Sequence, residues 1–352
     1  MNDGFVAVLS DIHGNLEALE VTLKEIEAAE QRTGTHAQII CIGDIFGYGP
    51  DQLECYRIAR ERFDVILPGN HEANLWLKLK HPEAKIPGAS LSAMKSIEYT
   101  VEQLLGKQEI KGSRTGQMIK IPNESLETFQ KSEYPRIVAR EIAGKYAPEM
   151  SINSPETSLF KKSIPKEQLD HIGINYVAAV LTQHVQIIDE YDSRLARRNK
   201  VLELFSFIES IAKKENRMFA LKNAIFVHDN PVNSGNAEYL VDEALAKKYM
   251  IHNKVDLRNI RKDKFPEFPG VEYIFVGHSH VLPATVEING IKVVYAGSVG
   301  IPRLDNVERH ACYTAIMIQN DRVIQVKPRQ LQYDYTKTKK KMIERGLPDK
   351  FE

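Results

Sequence analysis

The sequence has few cysteines, no net charge and no long apolar run, and each shortage excludes a class of protein. Its three cysteines, at positions 41, 55 and 312 of 352 residues, are odd in number and scattered. This pattern argues against a disulfide scaffold and fits a reducing compartment. The 47 lysines and arginines balance 47 aspartates and glutamates, so no global field attracts nucleic acid or an anionic membrane.

The sequence shows no signal for membrane insertion or secretion. No window approaches the roughly 18 to 20 consecutive apolar residues of a membrane span, and residues 1–10 lack the basic start and cleavage site of a signal peptide. We therefore expect a cytoplasmic protein with no membrane partner. At roughly 150 residues per domain, the length allows two domains, or one domain enlarged by an insertion.

The first hundred residues repeat a pattern of strand, loop and helix. The apolar run 5–10 precedes DIHGN and a helical pattern of leucines, with Asn15 as its N-cap. The pattern recurs from residue 38, where Pro50 is predicted in the first turn of a helix, and again from residue 64. Alternating strands and helices predict an α/β fold whose functional loops lie beyond the carboxyl ends of the strands.

After residue 271, apolar strands joined by hairpins replace this pattern and predict a mainly antiparallel arrangement. These strands are 273–277, 283–288, 292–297, 311–318 and 322–327. Residues from about 106 to 223 are polar at first and then helical in pattern. We predict a discontinuous core, 1–106 and 222–335, a mostly helical insertion, 107–221, that could cap the substrate, and a charged tail, 336–352. We expect this tail to be helical and its run 337–341 to be solvated.

Five polar motifs follow predicted strands. They are Asp11-Ile12-His13, Gly43-Asp44, Gly69-Asn70-His71-Glu72, His228 and Gly277-His278-Ser279-His280. Their mixed nitrogen and oxygen atoms suit divalent metals. Asp44 is the only carboxylate in its motif and could bridge two ions. The glycines let the backbone turn sharply at the strand ends.

In their order, D-x-H, GD, GNH-E, a lone His and GH-x-H, these motifs resemble the calcineurin-like metallophosphoesterase superfamily. The flanking segments DIHGNLEAL, GDIFGYGP and GSVGIPR look like its stand-alone bacterial and archaeal phosphodiesterase subgroup. The resemblance covers residues 5–105 and 222–335. It implies an α/β fold, a four-layer α-β-β-α sandwich of two mixed sheets, with a dinuclear metal site between the sheets.

The resemblance also implies the roles of individual residues. One metal site would use Asp11, His13, Asp44 and His280, and the other Asp44, Asn70, His228 and His278. Two divalent cations are the expected cofactors, with Mn²⁺ the expected ion and Fe, Zn, Co and Ni as alternatives. Held about 3.5 to 4 Å apart, they would lower the pKa of a shared water. The resulting bridging hydroxide would attack phosphorus, and His71 as imidazolium would protonate the leaving oxygen.

Two departures from the family bear on the substrate. Segment 43–50 has no arginine, whereas the family's protein phosphatases carry one there to grip the phosphate. Its absence favours a diester, and we predict a phosphodiesterase that hydrolyses a small, nucleotide-derived substrate. Asp229 follows His228 where the subgroup more often has glycine, and it could repel an anionic substrate or bind a cation.

Several alternatives stay open. Within the enzymes, the chain could be a phosphoprotein phosphatase or a dinucleoside polyphosphate hydrolase. From another class, it could be a non-catalytic scaffold of the same fold. The sequence does not identify the physiological substrate, which could include nucleic acid or a phosphoprotein, and it does not fix the oligomeric state.

Overall fold

A computed structural model gives the fold of the chain. It describes residues 1–81, 84–86, 89–105, 109–111, 118–120, 206–207, 210, 217–232, 238–241, 243–249, 251, 254, 257–303 and 309–348. The chain divides into two compact units, which we describe separately. The first comprises Met1–Trp76, Ile86–Thr100 and Ser206–Glu352, and the second Leu77–Lys85 and Val101–Phe205.

Strands and helices follow one another along the described residues. As far as residue 120 they are β1 (Gly4–Leu9), α1 (Leu16–Thr33), β2 (Gln38–Cys41), α2 (Gln52–Arg62), β3 (Val65–Ile66), α3 (Asn70–Lys80), α4 (Leu91–Leu105), β4 (Glu109–Lys111) and β5 (Met118–Lys120). From residue 218 they are β6 (Met218–Leu221), β7 (Ala224–Val227), α5 (Glu243–Lys248), β8 (Tyr273–Val276), β9 (Ala284–Ile288), β10 (Ile291–Tyr295), β11 (His310–Gln319), β12 (Arg322–Gln332) and α6 (Tyr335–Glu344).

The first sheet of the larger unit is mixed and has the strand order β12-β11-β1-β2-β3. β1 pairs in parallel with β2 and antiparallel with β11, and β2 pairs in parallel with β3. Residues 6–9 of β1 are completely buried. Burial on both faces explains why this strand is continuously apolar instead of alternating.

The second sheet is also mixed, with the order β6-β7-β8-β10-β9. β7, β8 and β10 run parallel, and β6 and β9 pair antiparallel at the two edges. Alternate side chains of β7 and β8 point to opposite faces. Phe226 and Phe275 stack on one face with ring centroids 4.6 Å apart, and Ile225 and Ile274 lie on the other.

Buried side chains of both sheets meet in one core. Val8, Ile40, Phe226 and Val294 belong to the same cluster, which fills the space between the sheets. A second cluster covers the opposite face of the second sheet and includes Ala246 of α5. On the other side of the unit, α1 packs against β11. The predicted sandwich, with helices outside two mixed sheets, is confirmed.

One local prediction was wrong. Pro50 lies ahead of α2, which begins at Gln52 with Asp51 as its N-cap. Residue 51 still belongs to the preceding loop, because its N–H donates to the carbonyl of Gly14 at 2.9 Å. The strands after residue 271 are mainly antiparallel, as predicted, in the pairs β9–β10, β11–β12 and β1–β11, and β8 is the exception because it pairs in parallel with β10 and β7.

In the smaller unit, β4 and β5 pair antiparallel. Residues 121–205 lie outside the described residues, and most of the predicted helical insertion with them. The second sheet begins with β6 at Met218, ahead of the core boundary predicted at 222. No helix in the described ranges is both long and apolar enough to span a membrane.

Candidate metal centre

The predicted ligands lie where parallel strands of the two sheets end. Asp11 and His13 follow β1, Asp44 follows β2, Asn70 begins α3 after β3, His228 follows β7, and His278 and His280 follow β8. Carboxyl ends of parallel strands meet at one edge of a sheet, so this topology gathers side chains that are far apart in sequence. The structure brings all seven predicted ligands together, with His71 beside them.

The backbone is strained at most of these positions. Asp11, His13, Asp44, His278 and His280 all have φ between 50° and 57°, in the left-handed region. For residues other than glycine this conformation costs about 1 to 3 kcal/mol each and persists only where the surroundings enforce it. Such strain concentrated in five polar residues is typical of a functional site.

The first group comprises Asp11, His13, Asp44 and His280, whose candidate ligand atoms all lie within 4.8 Å of one another. Oδ2 of Asp11 accepts hydrogen bonds from Ser10 Oγ at 2.6 Å and His278 N at 3.1 Å. Oδ1 is buried and accepts no hydrogen bond from the described residues. It faces His280 Nε2 at 3.2 Å and His13 Nε2 at 3.8 Å.

The second group comprises Asp44, His228 and His278, which satisfy the same 4.8 Å limit. Asp44 therefore belongs to both groups. Its Oδ2 lies 3.2 Å from His228 Nε2 and 3.7 Å from His13 Nε2. Asn70 joins this group through its Oδ1, which lies 3.2 Å from His228 Nε2.

Backbone carbonyls fix the orientation of three histidine rings. At 2.9 Å each, His13 Nδ1 donates to Phe46 O, His228 Nδ1 to Ile42 O, and His280 Nδ1 to Ile301 O. A proton on Nδ1 leaves the lone pair of Nε2 directed into the site, as in metal-ligating histidines. The Nε2 atoms of His13 and His280 are only 3.0 Å apart. Two lone pairs this close repel unless a cation lies between them, so the residues present fit a metal ion.

Protonation states agree with this donor set. Burial, with the neighbouring His71 and His280, lowers the pKa of His13 well below its usual value, and burial lowers that of His278 to about 3. Burial alone would raise the pKa of Asp44, but contact with His228 outweighs it and holds the pKa well below the ordinary range. The result is two neutral imidazoles beside a carboxylate, the forms in which these side chains bind metals.

His228 is the exception. Burial disfavours its imidazolium, but Asp44 and then Asp11 and Asp229 outweigh burial and raise its pKa to about 10. Asp229, the departure noted in the sequence, is itself buried. A cation bound at Asp44 would displace the proton of His228, because a ligating imidazole is neutral.

Glycines allow the loops to approach closely. A Cβ at Gly69 would overlap Oδ1 of Asp44, and a Cβ at Gly277 would overlap Oγ of Ser10. Glycine is required at these two positions by the approach of a neighbouring side chain, whereas of the three predicted strand-end glycines only Gly43 has a positive φ.

Glu72 organises the loop that carries Asp44, a role that was not predicted. Its carboxylate is completely buried and accepts four backbone N–H groups. The donors are Gly69 at 2.7 Å, Asp44 at 2.9 Å, Ile45 at 2.8 Å and Phe46 at 3.1 Å. Burial and the neighbouring Asp44 raise its pKa to about 7. The GNHE motif contained this residue, and a carboxylate next to ligand positions was the available signal.

Aromatic rings flank the two groups. Tyr48 packs against His13 and His71, with ring centroids 4.8 and 4.7 Å apart. Tyr239 stacks on His278 with centroids 4.3 Å apart and an angle of 15° between the planes. Tyr239 lies in a segment without any recognisable motif, and only the fold reveals its position.

The C-terminal helix α6 contacts Asn15, which follows the loop that carries Asp11 and His13. Asn15 caps α1 by accepting from Ala18 N, and its Nδ2 donates to Gly300 O at 2.8 Å and to Tyr333 Oη at 2.9 Å. Thr338 of α6 donates to Oδ1 of the same asparagine. The predicted helical end is confirmed for Tyr335–Glu344.

The expectation that residues 337–341 form a solvated tail was wrong at Lys341. Its ammonium group lies 2.6 Å from Glu17 and 2.7 Å from Asp51, the residues that open α1 and α2. Arg345 adds an ion pair with Asp51 at 3.0 Å. Lys341 and Arg345 thus link the N-terminal ends of α1 and α2. These two helices follow the loops that carry Asp11 and Asp44.

A family model described as calcineurin-like phosphoesterase matches residues 6–141. An uncharacterised protein of Methanocaldococcus jannaschii is 39% identical over 72 residues, which are 20% of this chain and 28% of that protein. An asymmetrical bis(5'-nucleosyl)-tetraphosphatase of Oceanobacillus iheyensis is 31% identical over 74 residues, 19% of this chain and 30% of that protein. The chain thus spans less than a third of the length of either relative.

A solved metallophosphoesterase from Sphaerobacter thermophilus aligns with 99% of this chain and 97% of its own, at 16% identity and a TM-score of 0.48. The family match covers the loops that carry Asp11, His13, Asp44 and Asn70, which are the residues gathered at the strand ends. Over residues 6–141 the chain is similar to the calcineurin-like phosphoesterase family.

Proposed function

We propose that the protein is a dinuclear-metal-dependent phosphodiesterase that hydrolyses a small, nucleotide-derived diester. The observation that carries the proposal is the pair of ligand groups that share Asp44. A shared carboxylate is the arrangement that two-metal hydrolytic sites require. The first ion would be held by Asp11, His13, Asp44 and His280, and the second by Asp44, Asn70, His228 and His278.

The cations, when bound, would neutralise charge on the phosphate and activate a water for attack on phosphorus. Mn²⁺ is the proposed ion, and Fe, Zn, Co and Ni suit the same mixed nitrogen and oxygen ligands. The protein's own contribution is to hold these donors in place before substrate arrives. Carbonyl hydrogen bonds to three histidines and the four N–H groups on Glu72 support that role.

We assign the general acid to His71. Its ring centroid lies 4.7 Å from that of His13, and its backbone N–H donates to Oδ1 of Asp44 at 2.9 Å. Its Nδ1 is buried and has no hydrogen-bond partner among the described residues. Burial lowers its pKa, and the negative charge of a bound phosphate would favour the imidazolium that donates a proton to the leaving oxygen.

A diester is favoured over a monoester because the loop 43–50 carries no arginine to grip a dianionic phosphate. A dinucleoside polyphosphate hydrolase is the second candidate, supported by the partial similarity to the asymmetrical bis(5'-nucleosyl)-tetraphosphatase. We place the protein in the cytoplasm, since Cys41, Cys55 and Cys312 are buried free thiols.

The test compares two aryl esters with the Mn²⁺-loaded protein. We expect a higher kcat/KM for bis(4-nitrophenyl) phosphate than for 4-nitrophenyl phosphate. A strong preference for the monoester would contradict the diesterase proposal and favour a phosphoprotein phosphatase. No hydrolysis of either ester by protein that holds two metal ions would favour the non-catalytic scaffold.

A further inference from the structure

Arg303 follows the segment GSVGIP and lies against the loop that carries His278 and His280. Its backbone N–H donates to His280 O at 2.7 Å. In its side chain, Nε donates to Ser279 O at 2.9 Å, and one terminal nitrogen donates to Tyr249 O at 3.3 Å. These bonds fix the guanidinium in one orientation and use two of its five N–H groups, so three donors are left.

This guanidinium has no carboxylate partner in the described part of the chain. Its remaining contact is the ring of Tyr239, whose centroid lies 5.9 Å from the central carbon. Arg303 is only partly exposed, and a partly buried charge is unfavourable unless an opposite charge compensates it. The arrangement therefore indicates an anionic ligand.

Arg303 lies near the metal centre through its contact with Tyr239. Tyr239, which touches the guanidinium, stacks on the ring of His278. No hydrogen bond or ion pair joins the guanidinium to a predicted ligand side chain among the described residues. The guanidinium of Arg303 thus lies beside the metal centre and is not part of it.

We propose that Arg303 binds a second phosphate group of the substrate, separate from the phosphate that is hydrolysed. The inference rests on the proposed function and narrows its substrate class to nucleotides that carry two or more phosphate groups. Arg303 would contribute to specificity through charge-assisted hydrogen bonds, which a fixed guanidinium makes well with phosphate oxygens.

The test uses two diesters that differ by one phosphate, thymidine 5'-(4-nitrophenyl phosphate) and its 3'-phosphorylated form. Both release 4-nitrophenolate. The metal-loaded wild type should have a kcat/KM about 10- to 100-fold higher for the 3'-phosphorylated ester, the effect expected of hydrogen bonds to a charged group. Arg303→Gln should bring this ratio close to one, and Arg303→Lys should keep part of it.

Arg261 offers a matched control, because it is an exposed arginine paired with Asp263 at 2.7 Å. Arg261→Gln should leave the ratio unchanged. Equal rates of the wild type on both esters would overturn the inference. Equal losses on both esters in Arg303→Gln would also overturn it, since Arg303 would then only position the loop of His278. Metal content of each variant is measured alongside, and failure to hydrolyse either ester would instead refute the proposed function.

Discussion

Thr338 in the C-terminal helix donates a hydrogen bond to Oδ1 of Asn15 at 3.0 Å, across 323 residues of sequence. Asn15 in turn caps the helix that follows the loop of Asp11 and His13. Thr338 is completely buried, and its one hydroxyl proton is shared between Asn15 Oδ1 and Glu17 Oε2, which lies at 2.7 Å. The C-terminal helix therefore stabilises the loop that carries Asp11 and His13.

Thr338→Val should reduce the free energy of unfolding by about 1 to 2 kcal/mol, because it removes the hydroxyl that donates to the buried Oδ1 of Asn15 and to Glu17. Urea denaturation measures this loss. Thr338→Ser keeps the hydroxyl and should lose clearly less. Equal stability of the valine variant and the wild type would show that the hydrogen bond does not support the loop.

Lys341→Ala should lower the free energy of unfolding by about 1 kcal/mol at pH 7, since it removes the cation between Glu17 and Asp51. Lys341 lowers the pKa of Glu17 against the opposing effect of burial, and its own pKa is raised against burial by the two carboxylates.

The signs of these shifts fix the pH dependence. A lowered carboxyl pKa stabilises the fold above the unfolded value of about 4.5, and this contribution is lost as the pH falls through the folded pKa. A raised lysine pKa stabilises the fold below about 10.5, and this contribution is lost at higher pH. The difference between wild type and variant should be constant from about pH 5 to 10 and shrink in acid. Lys340→Ala, on the exposed side of the helix, is the control, and a difference that persists at pH 2 would refute the account.

Glu72→Gln should disturb the loop of Asp44. The carboxylate accepts four backbone N–H groups, and an amide would present a donor to some of them. We expect a loss of about 2 to 3 kcal/mol in unfolding free energy and weaker Mn²⁺ binding in calorimetric titration. As a control, Glu61→Gln changes an exposed glutamate and should alter neither the unfolding free energy nor the Mn²⁺ affinity. Unchanged Mn²⁺ affinity in Glu72→Gln would show that the loop holds Asp44 without this carboxylate.

His71→Ala should keep both metal ions but reduce kcat by roughly 10²- to 10⁴-fold for substrates with poor leaving groups, as expected for the loss of a general acid. Substrates that release 4-nitrophenolate need less protonation and should be affected less. Comparing an alkyl and an aryl diester of the same nucleotide measures this difference. Equal effects on both would indicate another role for His71.

The sequence predicted that these polar side chains lie close together because each one lies in a short motif directly after a strand. A strand end can be recognised from a few neighbouring residues, and the parallel topology then brings Asp11 and Asp44 together. The same local patterns predicted the hairpin strands from residue 273 and the N-cap at Asn15.

Contacts between distant segments left no such signal. The role of Lys341 depends on the docking of a helix that, read alone, has the composition of a solvated tail. The roles of Tyr239 and Arg303 depend on their proximity to His278, which only the folded structure reveals. Pro50 was misplaced because its preference for a first helical turn was outweighed by loop hydrogen bonds that extend to Asp51.

The central claim is that these side chains bind two divalent cations that share Asp44. Metal content after Mn²⁺ loading and desalting, measured by mass spectrometry, tests it most directly. The account predicts two manganese ions per chain in the wild type and a lower occupancy in Asp44→Asn, which lacks the shared charge. Less than one ion per wild-type chain would contradict it.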